Sequence, residues 1–162
     1  MANAKQHHIC IAESSPCLQS VLSSALAPAQ YKLITAQNAV DCINVVSDMD
    51  IIFVDLVLED MDGLSLIEEL RTAHRLAQIQ SNSARKQVGN GDVTNTAAFN
   101  AGTPSIVAFL ARGALEKVDL SVDEIRQMAI QSGADAVFVA PFNLGELMST
   151  IARFCELKTA AA

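Results

Sequence analysis

Short apolar runs alternate with amphipathic segments along most of this chain. The apolar runs are HICIA (8–12), YKLITA (31–36), DIIFVD (50–55), PSIVAFLA (104–111) and AVFVA (136–140). Runs of this length that are rich in Ile, Val and Phe are typical of β-strands. The run at 50–55 is unbroken between its two acids, which indicates a parallel strand covered on both faces.

Each apolar run is followed by a segment with the signals of a helix. Leu18, Leu22 and Leu26 recur at helical spacing after the first run, where Ser15 and Pro16 mark the helix start. The other helix starts are predicted at Asn38, Gly63, Ser121 and Asn143, with a C-terminal stop at Gly133. Five strands alternating with five helices predict a single α/β domain over 1–162, built on a doubly wound parallel sheet.

One segment, residues 72–103, interrupts this alternation. It is rich in Asn, Thr, Ser, Gly and Gln, and we interpret it as an inserted loop between the third helix and the fourth strand. Arg75, Arg85 and Lys86 against Asp92 give it a formal charge of +2 in a chain of −7. It is expected to be mobile in isolation and to meet an acidic partner, or else to be an inert insertion.

The composition excludes several classes of protein. Apolar residues make up 51% and aromatic residues 4%, and the chain has a pI near 4.8. The negative charge argues against binding to nucleic acid or to an anionic membrane surface. No apolar stretch approaches the ~20 residues of a membrane helix, and the N-terminus lacks the apolar run of a signal peptide. A cytoplasmic location is therefore expected.

The cysteines and histidines are not expected to form a site. Cys10, Cys17, Cys42 and Cys155 contain no CxxC pair and fall within apolar segments, so we interpret them as small buried hydrophobic residues in a reducing compartment. His7, His8 and His74 have no paired nucleophile and are interpreted as surface residues. A Gly-rich phosphate loop and a G-x-S-x-G motif are also missing from the sequence, which argues against a small α/β enzyme or nucleotide binder.

Two acids occupy positions where parallel sheets carry their ligands. Glu13 follows the first predicted strand and Asp55 ends the third. Ligands in such sheets bind at the carboxyl ends of the strands. Glu13 is interpreted either as a solvated loop acid or as a weak metal ligand. Asp55 is interpreted either as a working phosphoacceptor or as an inherited acid that accepts hydrogen bonds at the strand end.

The five βα units, VDLVLEDMDG (54–63) and GADAVFVAPF (133–142) resemble the response-regulator receiver domain of two-component signalling, a CheY-like, flavodoxin-like fold. The resemblance covers nearly the whole chain outside 72–103 and a longer connection at 112–120. It implies the strand order 2-1-3-4-5, with Asp55 as the acceptor of a phosphoryl group from a kinase histidine. It also implies that Glu13, Asp55 and the backbone carbonyl of Val57 hold Mg²⁺.

Four positions depart from the receiver pattern. The second acid after the first strand is Ser14, the hydroxyl-bearing residue after the fourth strand is Leu110, and the lysine of the fifth strand is Ala140. Val137 stands where the family often has the switching aromatic residue. Together these residues describe a degenerate phosphorylation site, with Mg²⁺ binding that is weak if it occurs at all.

The favoured interpretation is a pseudo-receiver that acts by protein–protein interaction without a phosphorylation cycle. The expected surface is formed by the fourth helix, the fifth strand and the fifth helix, with Phe154 as an exposed anchor. The partner would be a histidine kinase, an output domain or a second copy of the chain. The alternative is a conventional receiver that a partner histidine kinase phosphorylates on Asp55.

Overall fold

A computed structural model describes residues 6–13, 15–27, 31–86, 102–111 and 119–160, with 81–86 described as backbone. The strands are β1 (His8–Ala12), β2 (Lys32–Ala36), β3 (Ile51–Asp55), β4 (Ser105–Leu110) and β5 (Ala136–Val139). The helices are α1 (Pro16–Leu26), α2 (Ala39–Val45), α3 (Gly63–Lys86), α4 (Val122–Ser132) and α5 (Leu144–Ala160), and a short 3-10 turn, Val46–Asp48, follows α2.

The five strands form one parallel sheet in the order β2-β1-β3-β4-β5. This confirms the predicted doubly wound sheet and its strand order. The buried strand β3 lies at the centre, where Ile52 is level with Cys10 of β1 and with Ile106 of β4. Because the strands are parallel, the chain leaves every strand at the same edge of the sheet, and the residues after β1, β3, β4 and β5 converge there.

Each face of the sheet carries its own apolar core. Alternate residues of one strand point to opposite faces, so Cys10 and Ile52 join one core whereas Ile9 and Ile51 join the other. On the first face α2, α3 and α4 contribute Ala39, Cys42, Leu66, Ile67, Leu70, Ile125 and Ala129. On the second face α1 and α5 contribute Leu22, Leu26, Leu147, Ile151, Phe154 and Cys155.

Most of the predicted helix ends are confirmed. Asn38 accepts a hydrogen bond from the Asp41 N–H at 2.8 Å, Ser121 forms a capping box with Glu124, and Gly133 ends α4 in the left-handed region at φ 115°. Ser15 precedes α1, but its side chain makes no cap hydrogen bond. The prediction that Ser15 caps the helix through its side chain was therefore wrong, although Pro16 stands at the helix start as predicted.

The prediction of a loop over residues 72–103 is partly wrong, because α3 continues through Lys86. Residues 72–86 contain Ala, Leu, Arg and Gln, which favour helix, and no proline or glycine stops the helix before Lys86. Arg71 also fixes this helix to its neighbours: its guanidinium donates to the carbonyls of Gly133 at 2.6 and 2.9 Å and of Pro104 at 2.7 Å. Residues 87–101 lie outside the described part of the chain.

The burial of the cysteine and histidine side chains corrects two further predictions. Cys10, Cys42 and Cys155 are buried as expected, but Cys17 is exposed on the first turn of α1. His74 is buried rather than on the surface, because the longer α3 places it on the inward side of a continuous helix. No helix within the described ranges has the length and hydrophobicity to cross a membrane.

Candidate functional site

Glu13 and Asp55 meet at the carboxyl edge of the sheet. Asp55 is the last residue of β3, and Glu13 directly follows β1, which pairs with β3. Both are buried, with 4% and 7% of their surface exposed. The interpretation of Glu13 as a solvated loop acid is therefore wrong. The two carboxyl groups share a side-chain hydrogen bond, so the structure brings together two of the predicted site residues.

Burial has the largest effect on the pKa values of Glu13 and Asp55. It raises the pKa of Glu13 to about 7; the hydrogen bond from the Ser15 N–H opposes that rise, and the nearby Asp55 carboxylate adds to it. Burial also raises the pKa of Asp55 above its ordinary value, against hydrogen bonds from the Val57 N–H and from Glu13 that favour its ionised form. Two adjacent buried carboxyl groups cannot both ionise cheaply, so the pair holds a proton near neutral pH.

The backbone around the two acids turns back towards their carboxylates. The Val57 N–H donates to Asp55 Oδ1 at 2.9 Å, and the Ser15 N–H donates to Glu13 Oε1 at 2.8 Å. Both bonds span two residues, as in turns that an acidic side chain closes on its own backbone. Ser14, the third residue expected at this site, lies outside the described residues.

The other acids of the 56–62 loop have structural roles. Asp60 accepts from the Ala39 N–H at 2.9 Å and so caps the start of α2 from a distant part of the chain. Asp62 accepts from the N–H and hydroxyl of Ser65 at the start of α3, and these bonds lower the pKa of Asp62. The sequence analysis missed both roles, although an acid directly before Gly63 is a recognisable cap signal. Both carboxylates therefore already accept hydrogen bonds at the starts of helices.

Gly63 allows α3 to begin directly against the end of β3. Its N–H donates to the Leu56 carbonyl at 3.1 Å. A Cβ atom at residue 63 would overlap with the backbone of Asp55 and Leu56. The glycine eight residues after Asp55 is therefore required by close backbone packing, and it helps to fix the position of Asp55.

Leu110 ends β4, the strand next to Asp55, and Ala140 directly follows β5. Asp55 is level with Phe109 on β4, Leu110 is level with Val139 on β5, and the Ala140 N–H donates to the Leu110 carbonyl at 2.9 Å. Ala140 precedes Pro141 through a cis peptide bond. Leu110 is buried in the core under α2, α3 and α4. Neither residue carries a hydroxyl or a cationic group, so this edge offers an oxyanion no charged donor from β4 or β5.

The aromatic residues near this edge pack on the opposite face of the sheet. Phe109 lies 5.4 Å from Phe53, 5.9 Å from Phe138 and 5.2 Å from Phe142, measured between ring centroids. Val137 points to the other face and packs partly buried against the core there. The sequence analysis singled out Val137 but did not anticipate the four-ring cluster, since strand alternation alone does not say which rings meet.

The prediction that Phe154 is an exposed anchor on the fifth helix is wrong. Phe154 is 7% exposed and packs into the core between α5 and the sheet. It lies three residues after Ile151, which places both side chains on the inward side of the helix. The large apolar side chains that α4 and α5 do expose are Met128, Ile130, Leu144 and Leu157.

Glu13 and Asp55 are the carboxylates at this edge that could hold a divalent cation. Mg²⁺ is commonly held by one or two carboxylates together with water and substrate oxygens. Glu13, Asp55 and the Val57 carbonyl would be its protein ligands. The proton shared by the two acids must leave before both can ligate, which lowers affinity at neutral pH. No group of three or more His, Cys, Asp or Glu side chains arranged to hold a metal occurs within the described ranges.

A family model matches the chain, and solved structures share its fold. The family model for the response regulator receiver domain matches residues 9–103. A two-component response regulator from Clostridium difficile is similar at 19% identity and a TM-score of 0.65, covering 93% of this chain and 97% of that one. A CheY-like receiver domain protein from Methanospirillum hungatei JF-1 is similar at 16% identity and a TM-score of 0.65, covering 98% and 100%. These similarities support the fold, because both identities are low.

Proposed function

Because the chain belongs to the response regulator receiver domain family of two-component signalling, we propose that it is a pseudo-receiver. In this role it binds its signalling partner without a phosphorylation cycle at Asp55. The observation that carries the proposal is the environment of the Asp55 carboxyl group. Among the described residues, its hydrogen-bond partners are the Val57 N–H and the Glu13 side chain, and its pKa is raised rather than lowered.

Phosphoryl transfer depends mainly on positioning and on neutralising charge. In this chain Ala140 ends at a methyl group where the family pattern has an ammonium group, and Leu110 supplies no hydroxyl. A phosphoryl group on Asp55 would therefore add negative charge beside Glu13 without a compensating side chain from β4 or β5. We therefore expect both slower phosphoryl transfer to Asp55 and lower stability of the phosphorylated Asp55.

The test is incubation with acetyl phosphate and Mg²⁺, followed by intact mass measurement. We expect no substantial phosphorylated species. A large phosphorylated fraction that disappears in Asp55→Asn would overturn the proposal and would favour the alternative, a conventional receiver phosphorylated on Asp55 by a partner histidine kinase. The intact placement of Asp55 beside Glu13 is the observation that favours that alternative.

A restored variant makes the negative result interpretable. Ser14→Asp, Leu110→Thr and Ala140→Lys together return the acid, the hydroxyl and the cation of the family pattern. The restored protein should accumulate phosphorylated Asp55 under conditions where the natural sequence does not. The same triple variant with Asp55→Asn is the matched control and should remain unmodified.

Mg²⁺ binding is proposed to be weak, in the millimolar range or worse. Ser14 supplies a neutral side chain where the family pattern has a carboxylate, and Mg²⁺ gives up its waters reluctantly. NMR titration of the amides around Glu13 and Asp55 measures the affinity, with Asp55→Asn as the control. Saturation at micromolar Mg²⁺ would contradict this part of the proposal.

The proposed partner surface is the face formed by α4, β5 and α5. It contains β5, an edge strand of the sheet, and the helices α4 and α5, whose exposed large apolar side chains are Met128, Ile130, Leu144 and Leu157. Apolar side chains of this kind are suitable anchors for a histidine kinase, an output domain or a second copy of the chain. Leu157→Glu should weaken partner binding at least about tenfold, corresponding to roughly 1.4 kcal/mol, whereas Leu76→Glu on α3, also exposed, should not.

A further inference from the structure

Two cysteine thiols face each other in the core below α2, away from the acidic site. Cys10 lies on β1 and Cys42 on α2, and their sulfur atoms are 4.0 Å apart. Both side chains are completely buried. We propose that Cys10 and Cys42 are a peroxide-sensitive dithiol that closes to an intramolecular disulfide within the folded domain.

The surroundings of Cys10 favour its reactive form. The Cys42 thiol and the backbone of Ala36 both hydrogen-bond to the Cys10 sulfur, and together they lower the pKa of Cys10 despite its burial. The same contact with Cys10, together with burial, raises the pKa of Cys42. A thiolate is the form of cysteine that attacks peroxides, so we assign the attack to Cys10 and the resolving step to Cys42.

The two sulfur atoms are in contact but are not at bonding distance. A disulfide requires a sulfur–sulfur distance near 2.05 Å and the two Cβ atoms close together. The sulfurs must therefore approach by about 2 Å. The core on this face contains the small side chains of Ala36 and Ala39 near the start of α2, which helps the helix to approach the sheet closely. α2 is also short and exposed on its outer side, where Val40 is 60% exposed.

The reaction is balanced with one hydroperoxide. The Cys10 thiolate attacks a peroxide oxygen, the O–O bond breaks, and the departing oxygen takes the Cys42 proton and leaves as water when the oxidant is hydrogen peroxide. The Cys42 thiolate then attacks the sulfur of the Cys10 sulfenic acid. The S–O bond breaks, and a second water leaves after protonation. Two thiols are oxidised to one disulfide, and the peroxide is reduced to two waters.

Formation of the disulfide between Cys10 and Cys42 would also affect the position of the 56–62 loop. The Ala39 N–H at the start of α2 is held by the Asp60 carboxylate at 2.9 Å. Movement of α2 towards β1 therefore pulls on the segment that connects Asp55 to Gly63. The proposal is independent of whether Asp55 is phosphorylated.

The experiment uses the Cys17→Ser/Cys155→Ser chain, which retains only the facing pair. After treatment with hydrogen peroxide, intact mass should show the loss of two hydrogen atoms, reversed by dithiothreitol. Trypsin separates the two cysteines, because Lys32 lies between them, so the product should contain peptide 6–32 joined to peptide 33–71. The amide NMR signals of Ala39 and Asp60 should shift when the bond forms.

The matched control is the same chain with Cys42→Ala, which cannot form the linked peptides and should leave Cys10 less reactive, because the contact that lowers the Cys10 pKa is gone. Two results would overturn the proposal. One is that both thiols persist at peroxide doses that oxidise the exposed Cys17 of the natural sequence. The other is that the linked peptides form only when urea is added, since closure would then be a property of the unfolded chain.

Discussion

Gly63 packs against the backbone of Asp55, so the first residue of α3 touches the last residue of β3. Gly63→Ala should therefore destabilise the domain by about 2 kcal/mol or more, because backbone atoms cannot move aside as a flexible side chain can. Urea unfolding measures the change. Gly145→Ala is the matched control, since a Cβ atom at that helical glycine would lie 3.1 Å from the end of the Asn143 side chain rather than against backbone, and the replacement should cost less. Equal effects of the two substitutions would contradict this account of the site.

The buried acids should make stability depend on pH. The folded state holds a proton on Glu13 up to about pH 7, whereas the unfolded chain releases it near the ordinary value of 4.5. The Glu13 contribution is therefore fully present below pH 4.5 and is lost as pH rises towards 7, with a slope of at most about 1.4 kcal/mol per pH unit.

Glu13→Gln should reduce this decline, because an amide imitates the protonated acid at every pH, and the part that remains comes from Asp55, whose pKa is also raised by burial. Urea unfolding at a series of pH values between 4.5 and 7 measures the difference from the natural sequence. Asp62→Asn is the control: the pKa of Asp62 is lowered from 3.8, so its own contribution is lost only at more acidic pH. If the natural sequence and Glu13→Gln have parallel profiles, the carboxyl groups do not share a proton.

Trypsin should distinguish the two halves of the 72–103 segment. Arg75 lies within α3, where its guanidinium donates to the Arg71 carbonyl at 3.3 Å, so cleavage there requires the helix to unfold locally. Arg85 and Lys86 end the helix, and terminal turns fray. Limited proteolysis read by mass spectrometry should therefore show cuts at Arg85 and Lys86 before any at Arg75. Resistance equal to that of the core would indicate that the whole segment is folded.

Partner binding through α4, β5 and α5 should not respond to a phosphoryl mimic. Leu110 and Val137 carry neither a hydroxyl nor a ring, so the residues that would couple Asp55 to that face are missing. Partner affinity or oligomeric state should change less than about tenfold, or roughly 1.4 kcal/mol, when beryllofluoride and Mg²⁺ are added. A larger change that is abolished by Asp55→Asn would show that the switch survives.

The sequence by itself determined the alternation of strands and helices and the convergence of the acids. Apolar periodicity reports which side of each element is buried, and parallel topology then places Glu13 and Asp55 at one edge without knowledge of any contact. The caps at Asn38, Ser121 and Gly133 were also predictable, because they depend on residues three or four positions apart. The departures at Leu110 and Ala140 came from the resemblance to the receiver pattern and not from spacing along the chain.

Only the tertiary structure decided burial and pairing between distant residues. Local composition suggested a loop after residue 72, whereas α3 continues and buries His74. Phe154 could have faced either side of α5, and packing against the sheet placed it inside. The proton shared by Glu13 and Asp55 and the contact between Cys10 and Cys42 depend on desolvation and on distances between separate elements. These quantities arise when the elements pack, and no spacing along the chain encodes them directly.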